Sequence, residues 1–166
     1  MILTFDDWKL DVDLDATMVR SVHEAADHCN CAYCRNFYAA VDAHYPNLRP
    51  FLAEFGLDIE APDEQMPYDY DNRMYYDSVY LVCGSILQAG TEPILVDGIG
   101  IRAENDALVG DRCPQPYFVL DVSNVVLPWV LEEPMQDTLS PANEPSFIKK
   151  MWDRLLGKVK NSRDIS

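Results

Sequence analysis

The chain of 166 residues suits one domain, and with 48% hydrophobic residues it can bury a substantial core. Its formal net charge of −15 at pH 7 excludes most direct binding to nucleic acid or to an anionic membrane. The start lacks a basic segment and a long apolar run, so we expect no signal peptide, no membrane span, and a cytoplasmic protein with reduced cysteines.

The first predicted elements are a strand and a helix. Residues 8–14 alternate between apolar and charged side chains, which predicts a half-buried strand. Met18 and Val22 then recur at helical spacing. Together with Ala25 or Ala26, this pattern predicts a helix over residues 16–28.

Two more helices are predicted before the middle of the chain. Asn30 is a suitable N-cap for a helix over residues 30–45, which Pro46 ends. A short third helix is predicted over residues 47–55. The stretch 58–71 then contains six acidic residues and no basic one, and we interpret it as an exposed loop.

The middle of the chain is rich in β-branched and aromatic residues. Segments predicted to form strands are residues 74–87, 94–101 and 117–122. Asp97 and Gly98 predict either a tight hairpin turn or a bulge in one longer strand. Pro128 places residues 125–131 at a sheet edge or outside the sheet.

The C-terminal part predicts a linker over residues 134–145 and then a basic amphipathic helix. Residues 149–166 carry a net charge of +4, which leaves −19 for the rest of the chain. The order of elements predicts a single α+β domain over residues 1–166, with a mainly antiparallel sheet of about four strands, N-terminal helices and a C-terminal amphipathic helix.

Three of the five cysteines, Cys29, Cys31 and Cys34, lie within six residues of one another. Thiolates are strong ligands for zinc, and a tetrahedral site takes four donors, so the cluster predicts a zinc site. His28 is the predicted fourth ligand, and the other candidates are His23, Cys83 and Cys113. The alternative is that Cys31 and Cys34 are small buried hydrophobic residues of a helix.

The same cysteines also suggest thiol chemistry. Cys31 and Cys34 form a Cys-x-x-Cys pair near a helix N-terminus, where the helix dipole lowers the pKa of a thiol. Thioredoxin-like proteins place this motif after a strand, whereas a helix is predicted before it here. This order argues against a thioredoxin-like site.

The segment from Cys29 to Tyr38, together with residues 51–58 and 127–131, resembles a family of small bacterial proteins. These proteins are frequent in Firmicutes and their mobile elements and carry a Cys-x-Cys-x-x-Cys-Arg-Asn-aromatic segment. The resemblance implies a compact domain in a bacterial or mobile-element setting. It transfers no catalytic residue, because the family has no assigned activity.

The sequence therefore predicts a non-enzymatic acidic protein that binds the basic surface of a protein partner. A mobile-element accessory factor fits this description, as does an anti-defence factor whose carboxylates imitate nucleic acid. The absence of a phosphate-binding loop or a nucleophile elbow supports a role without turnover. The alternative is a small metal- or thiol-dependent enzyme that uses Cys29, Cys31 and Cys34.

Overall fold

The computed structural model describes residues 1–25, 29–70, 73–105 and 116–135. The helices are α1 (Leu14–Ala25), α2 (Ala32–His44) and α3 (Leu48–Ala53). The strands are β1 (Ile2–Phe5), β2 (Trp8–Val12), β3 (Glu64–Tyr70), β4 (Arg73–Gln88), β5 (Ile94–Val96), β6 (Ile99–Glu104) and β7 (Tyr117–Leu127). The chain divides into two units, Met1–Pro134 and Met135–Ser166, and the second lies outside the described residues apart from Met135.

The seven strands form one antiparallel sheet in the order β1-β2-β4-β7-β6-β5, with β3 paired to β4 beside this path. Strand β4, with 16 residues, is the centre of the sheet. Its first half pairs with β3, its last residues pair with β2, and β7 follows it along the opposite edge. Buried and partly exposed residues alternate in the first half of β4, and Tyr80–Cys83 are all buried, which agrees with the largely apolar sequence of this strand.

The prediction of a sheet of about four strands is wrong, because the described residues alone form a sheet of seven. Two strands were not predicted. Strand β1 is only four residues long, and β3 lies inside the acidic stretch that was interpreted as a loop. Pro67 lies within β3 and is tolerated there because β3 has a described partner on one side only. The predicted linker from residue 136 onward and the C-terminal helix lie outside the described residues.

Asp97 and Gly98 form a two-residue hairpin turn between β5 and β6, since Val96 pairs with Ile99. Both turn residues have positive φ, 50° at Asp97 and 84° at Gly98, as this kind of turn requires. The hairpin alternative is thus confirmed. The Asp97 carboxylate also accepts hydrogen bonds from the backbone and side chain of Asn47, at 2.8 and 2.7 Å, which fixes the start of α3.

Helix α1 turns its polar side chains inward. The buried side chains of this helix include Thr17, Arg20 and Ser21. Met18 and Val22, whose spacing predicted the helix, are 46% and 66% exposed and face outward. The reason is that the inner positions are held by hydrogen bonds and an ion pair, which replace apolar contact on this side of the sheet.

Helix α2 supplies the aromatic core beside the candidate site. The rings of Phe37 and Tyr76 have centroids 5.1 Å apart, and both residues are almost completely buried. The hydroxyl of Tyr76 donates to the carbonyl of Tyr33 at 3.0 Å. These contacts fix the N-terminal part of α2 against β4. The cysteine cluster lies in the first turn of α2 and the residues just before it.

Candidate metal centre

The side chains of Cys29, Cys31 and Cys34 converge at the start of α2. Their three sulfur atoms all lie within 4.8 Å of one another. Zinc–sulfur bonds of about 2.3 Å in a tetrahedral site place sulfur atoms about 3.8 Å apart. The cluster is therefore within about 1 Å of the spacing that a metal ion needs, and these three thiols could hold a metal.

The local backbone explains why the sulfurs meet. Cys31 is the N-cap residue of α2, with φ −69° and ψ 160°, and its carbonyl accepts the first helical hydrogen bond from Arg35 at 3.0 Å. The helix therefore begins one residue later than predicted, with Cys31 rather than Asn30 as the cap. The extended backbone at Cys31 brings Cys29 toward the first turn of the helix, where Cys34 lies.

The three thiols have different environments. Cys29 and Cys31 are exposed, whereas Cys34 is buried. A hydrogen bond from the backbone N–H of Cys31 lowers the pKa of the Cys29 thiol, and the side chain of Cys31 lowers it further. Burial raises the pKa of the Cys34 thiol, as do hydrogen bonds with its two neighbours. A bound cation would stabilise all three thiolates and release the proton of Cys34.

Tyr38 lies on the next turn of α2 beside the cluster. Burial raises the pKa of its half-buried hydroxyl, and the nearby charge of Cys34 raises it further. The ring of Tyr38 also meets Phe37 edge to face at 6.0 Å. The cluster is thus open to solvent on the side of Cys29 and Cys31 and closed by helix α2 on the side of Cys34.

Asn36 joins the cysteine-bearing helix to the segment that follows β7. Its side-chain amide donates to the hydroxyl of Tyr76 at 3.0 Å and to the carbonyl of Pro128 at 3.1 Å. Its side-chain oxygen accepts the N–H of Val130 at 2.7 Å. Asn36 is completely buried, so losing these bonds would cost about 1–3 kcal/mol for each group left unpaired.

Arg35 and Tyr33 add two more contacts to the same segment. The guanidinium of Arg35 forms an ion pair with Glu133 and donates to the carbonyl of Asn30 at 2.5 Å, which holds the loop between Cys29 and Cys31. The ring of Tyr33 meets that of Trp129 edge to face at 5.8 Å. These residues support the cluster without contacting a metal themselves.

Sequence reasoning did not find this support. In the sequence, residues 29–38 and 127–131 were linked to each other only through their resemblance to a bacterial family. The structure shows that Asn36 connects them directly, across 92 residues of sequence to Pro128. The signal available in the sequence was the pair Arg35 and Asn36 directly after Cys34. A buried asparagine needs hydrogen-bond partners, and these can come from another part of the chain.

The remaining predicted ligands stand apart from the cluster or lie outside the described residues. Cys83 belongs to β4 and packs in a separate group with Leu81. His28 and Cys113 lie outside the described residues, as does the side chain of His23. His28 therefore stays a predicted fourth ligand, whereas the three cysteines are brought together.

No family model, curated protein or solved structure matches this chain. The predicted resemblance to a bacterial family therefore stays a prediction. Within the described ranges, no helix is long and apolar enough to cross a membrane.

Proposed function

We propose that this protein is an acidic interaction protein whose helix α2 is anchored by a zinc ion bound to Cys29, Cys31 and Cys34. The observation that carries the proposal is the closeness of the three sulfur atoms, all within 4.8 Å of one another. Three soft thiolates select zinc, copper(I) or iron–sulfur chemistry over calcium and magnesium. Zinc suits them because it takes three thiolates and one further donor in a tetrahedral site.

The proposed role of the ion is structural. Two cysteines precede α2 and one lies in its first turn, so a metal would join the entering loop to the helix. The helix N-terminus carries a partial positive charge that favours the thiolates. We propose His28 as the fourth ligand, because it directly precedes Cys29.

Metal analysis combined with thiol titration tests the centre. The purified protein is expected to retain stoichiometric zinc, which protects Cys29, Cys31 and Cys34 from a thiol reagent until a chelator is added. Exposed thiols such as Cys29 and Cys31 would otherwise react quickly, so protection reports the metal directly. Equal reactivity of these thiols with and without added zinc would contradict the proposal.

The alternative is a small metal- or thiol-dependent enzyme that uses the same cluster. It is favoured by the exposure of Cys29 and by the lowered pKa of its thiol, both of which are usual in reactive cysteines. A structural zinc site is closed by four protein ligands, whereas a catalytic one keeps a position for water. X-ray absorption of the zinc-loaded protein separates the two by counting its protein donors.

The partner we propose is a protein with a basic surface, met in the cytoplasm of a bacterial cell. The support is the net charge of −15 over 166 residues. An accessory factor of a mobile element and an anti-defence factor that imitates nucleic acid both fit this chemistry. A pull-down from bacterial lysate is expected to capture a basic protein at low salt and less of it as salt rises, because salt screens charge pairing. Capture of nothing at low and moderate salt would count against the partner.

A further inference from the structure

We propose that the outer face of helix α1 is the docking surface for a basic amphipathic helix of the partner protein. This inference rests on the proposed function, that the protein acts by binding a basic partner. Asp15, Met18, Val19 and Val22 follow the spacing i, i+3, i+4, i+7 and therefore lie along one face of the helix. We call these four residues the α1 stripe.

The α1 stripe is apolar and exposed over most of its length. Met18, Val19 and Val22 are 46%, 60% and 66% exposed. A surface helix ordinarily turns such a stripe toward the core and its polar residues toward water. Adjacent exposed apolar side chains at helical spacing are the surface by which helices recognise one another.

Polar contacts on the inner face of α1 hold the helix in the orientation that leaves the α1 stripe exposed. The N–H of Cys83 donates to the hydroxyl of Thr17 at 3.0 Å, and the N–H of Asp58 donates to the hydroxyl of Ser21 at 2.9 Å. A buried ion pair joins Arg20 to Asp63. Turning α1 to bury its apolar stripe would break all three contacts, so the orientation is built into the fold.

Charge favours a basic occupant for this stripe over a second copy of the chain. A second copy of the chain would bring together two bodies that each carry −15, which opposes self-association. Exposed aspartates also flank the N-terminal end of α1, at Asp13 and Asp15. A helix with apolar residues at the same spacing and lysine or arginine at one end matches both features.

A synthetic helix tests the surface with the full-length protein. The probe is a fluorescent peptide of roughly 18 residues that carries leucine at i, i+3, i+4, i+7 spacing and lysine elsewhere. We expect it to bind weakly and in a salt-dependent way, because a single helix stripe is a small interface. The variant V19S/V22S is expected to bind at least about tenfold more weakly, since these two side chains supply most of the apolar contact.

The matched control is Leu95→Ser, which removes an apolar side chain that is 71% exposed on β5, away from α1. Both variants change exposed positions, so thermal melting is expected to match that of the unsubstituted protein. Equal weakening by Leu95→Ser would overturn the proposal, as would unchanged binding of V19S/V22S or no binding of the peptide at all. The lysate capture tests the basic partner separately. Failure of the peptide to bind would therefore contradict the docking surface on α1 without contradicting the proposal of a basic partner.

Sedimentation of the unsubstituted protein completes the test. A monomer at micromolar concentration is expected, because like charge opposes pairing of two stripes. A dimer that V19S/V22S abolishes would assign the α1 stripe to a second copy and would overturn docking of a basic partner.

Discussion

Replacing Cys34 by serine is expected to abolish stoichiometric zinc binding and to remove the dependence of stability on the metal. A hydroxyl is a far weaker zinc ligand than a thiolate, and the two remaining cysteines do not complete the site. A ligand that binds only the folded state stabilises it by about 2.7 kcal/mol when present at 100 times its dissociation constant. With free zinc at 100 times its dissociation constant, the free energy of unfolding of the wild-type protein should therefore fall by about 2.7 kcal/mol when a chelator removes the metal.

The control for this variant is Cys83→Ser. Cys83 is 3% exposed and Cys34 is 5% exposed, so both substitutions bury a hydroxyl in place of a thiol. Only Cys34 belongs to the cluster of three sulfur atoms. Urea unfolding with and without chelator should give no difference for Cys34→Ser and the full wild-type difference for Cys83→Ser. A wild-type protein whose stability ignores the chelator would refute a structural metal.

The cysteine cluster could be predicted because its three residues are close in sequence. The spacing Cys29-x-Cys31-x-x-Cys34 brings three sulfurs together through one extended residue and one helical turn. The support of the cluster could not be predicted in the same way. Asn36 and Val130 are 94 residues apart, and no local pattern records which carbonyl or N–H a buried amide will meet.

The same distinction explains which elements of the fold were predicted. The alternation in residues 8–14 and the Asp97-Gly98 turn are local signals, and the structure has β2 and the β5–β6 hairpin there. Strand β3 was missed because its polar composition indicates a loop, whereas its pairing with β4 is a tertiary contact. Helix α1 was predicted over residues 16–28 and is observed over Leu14–Ala25.

The outward orientation of the apolar side chains of α1 has a specific physical cause. A hydrophobic stripe predicts the buried face only if burial is driven by apolar contact. On α1 the inner face is instead held by Thr17, Arg20 and Ser21, whose partners lie 37 to 66 residues away. The spacing of apolar residues alone does not reveal such a face, because buried polar side chains are rare unless they have partners.

The ion pair between Arg20 and Asp63 leads to the second large effect. Substituting Asp63 by alanine is expected to lower the free energy of unfolding by about 3–5 kcal/mol. The Arg20 and Asp63 side chains are only 9% and 2% exposed, so removal of the carboxylate leaves a cation in a site that water hardly reaches. The backbone N–H of Leu81, which donates to Asp63 at 2.8 Å, also loses its acceptor.

A surface ion pair of the same chemistry provides the control. Arg49 contacts Asp42 at 3.0 Å, but these side chains are 37% and 53% exposed. Solvent screens such pairs, so Asp42→Ala should cost no more than about 1 kcal/mol in the same urea unfolding experiment. A cost for Asp63→Ala as small as that for Asp42→Ala would mean that the buried pair does not hold α1 to the sheet.

The double variant R20L/D63L separates two contributions to the free energy of unfolding: the net contribution of the ion pair, and the penalty for leaving one buried charge without its partner. Replacing both charges by apolar side chains removes the unpaired cation, so its stability should be recovered relative to Asp63→Ala. In this double variant, only the hydrogen bonds of Thr17 and Ser21, out of these two bonds and the ion pair, still orient α1. If the double variant folds stably but loses affinity for the basic peptide, the ion pair acts mainly to keep the apolar stripe of α1 facing outward. If it folds stably and binds the peptide as the wild type does, the ion pair contributes stability alone.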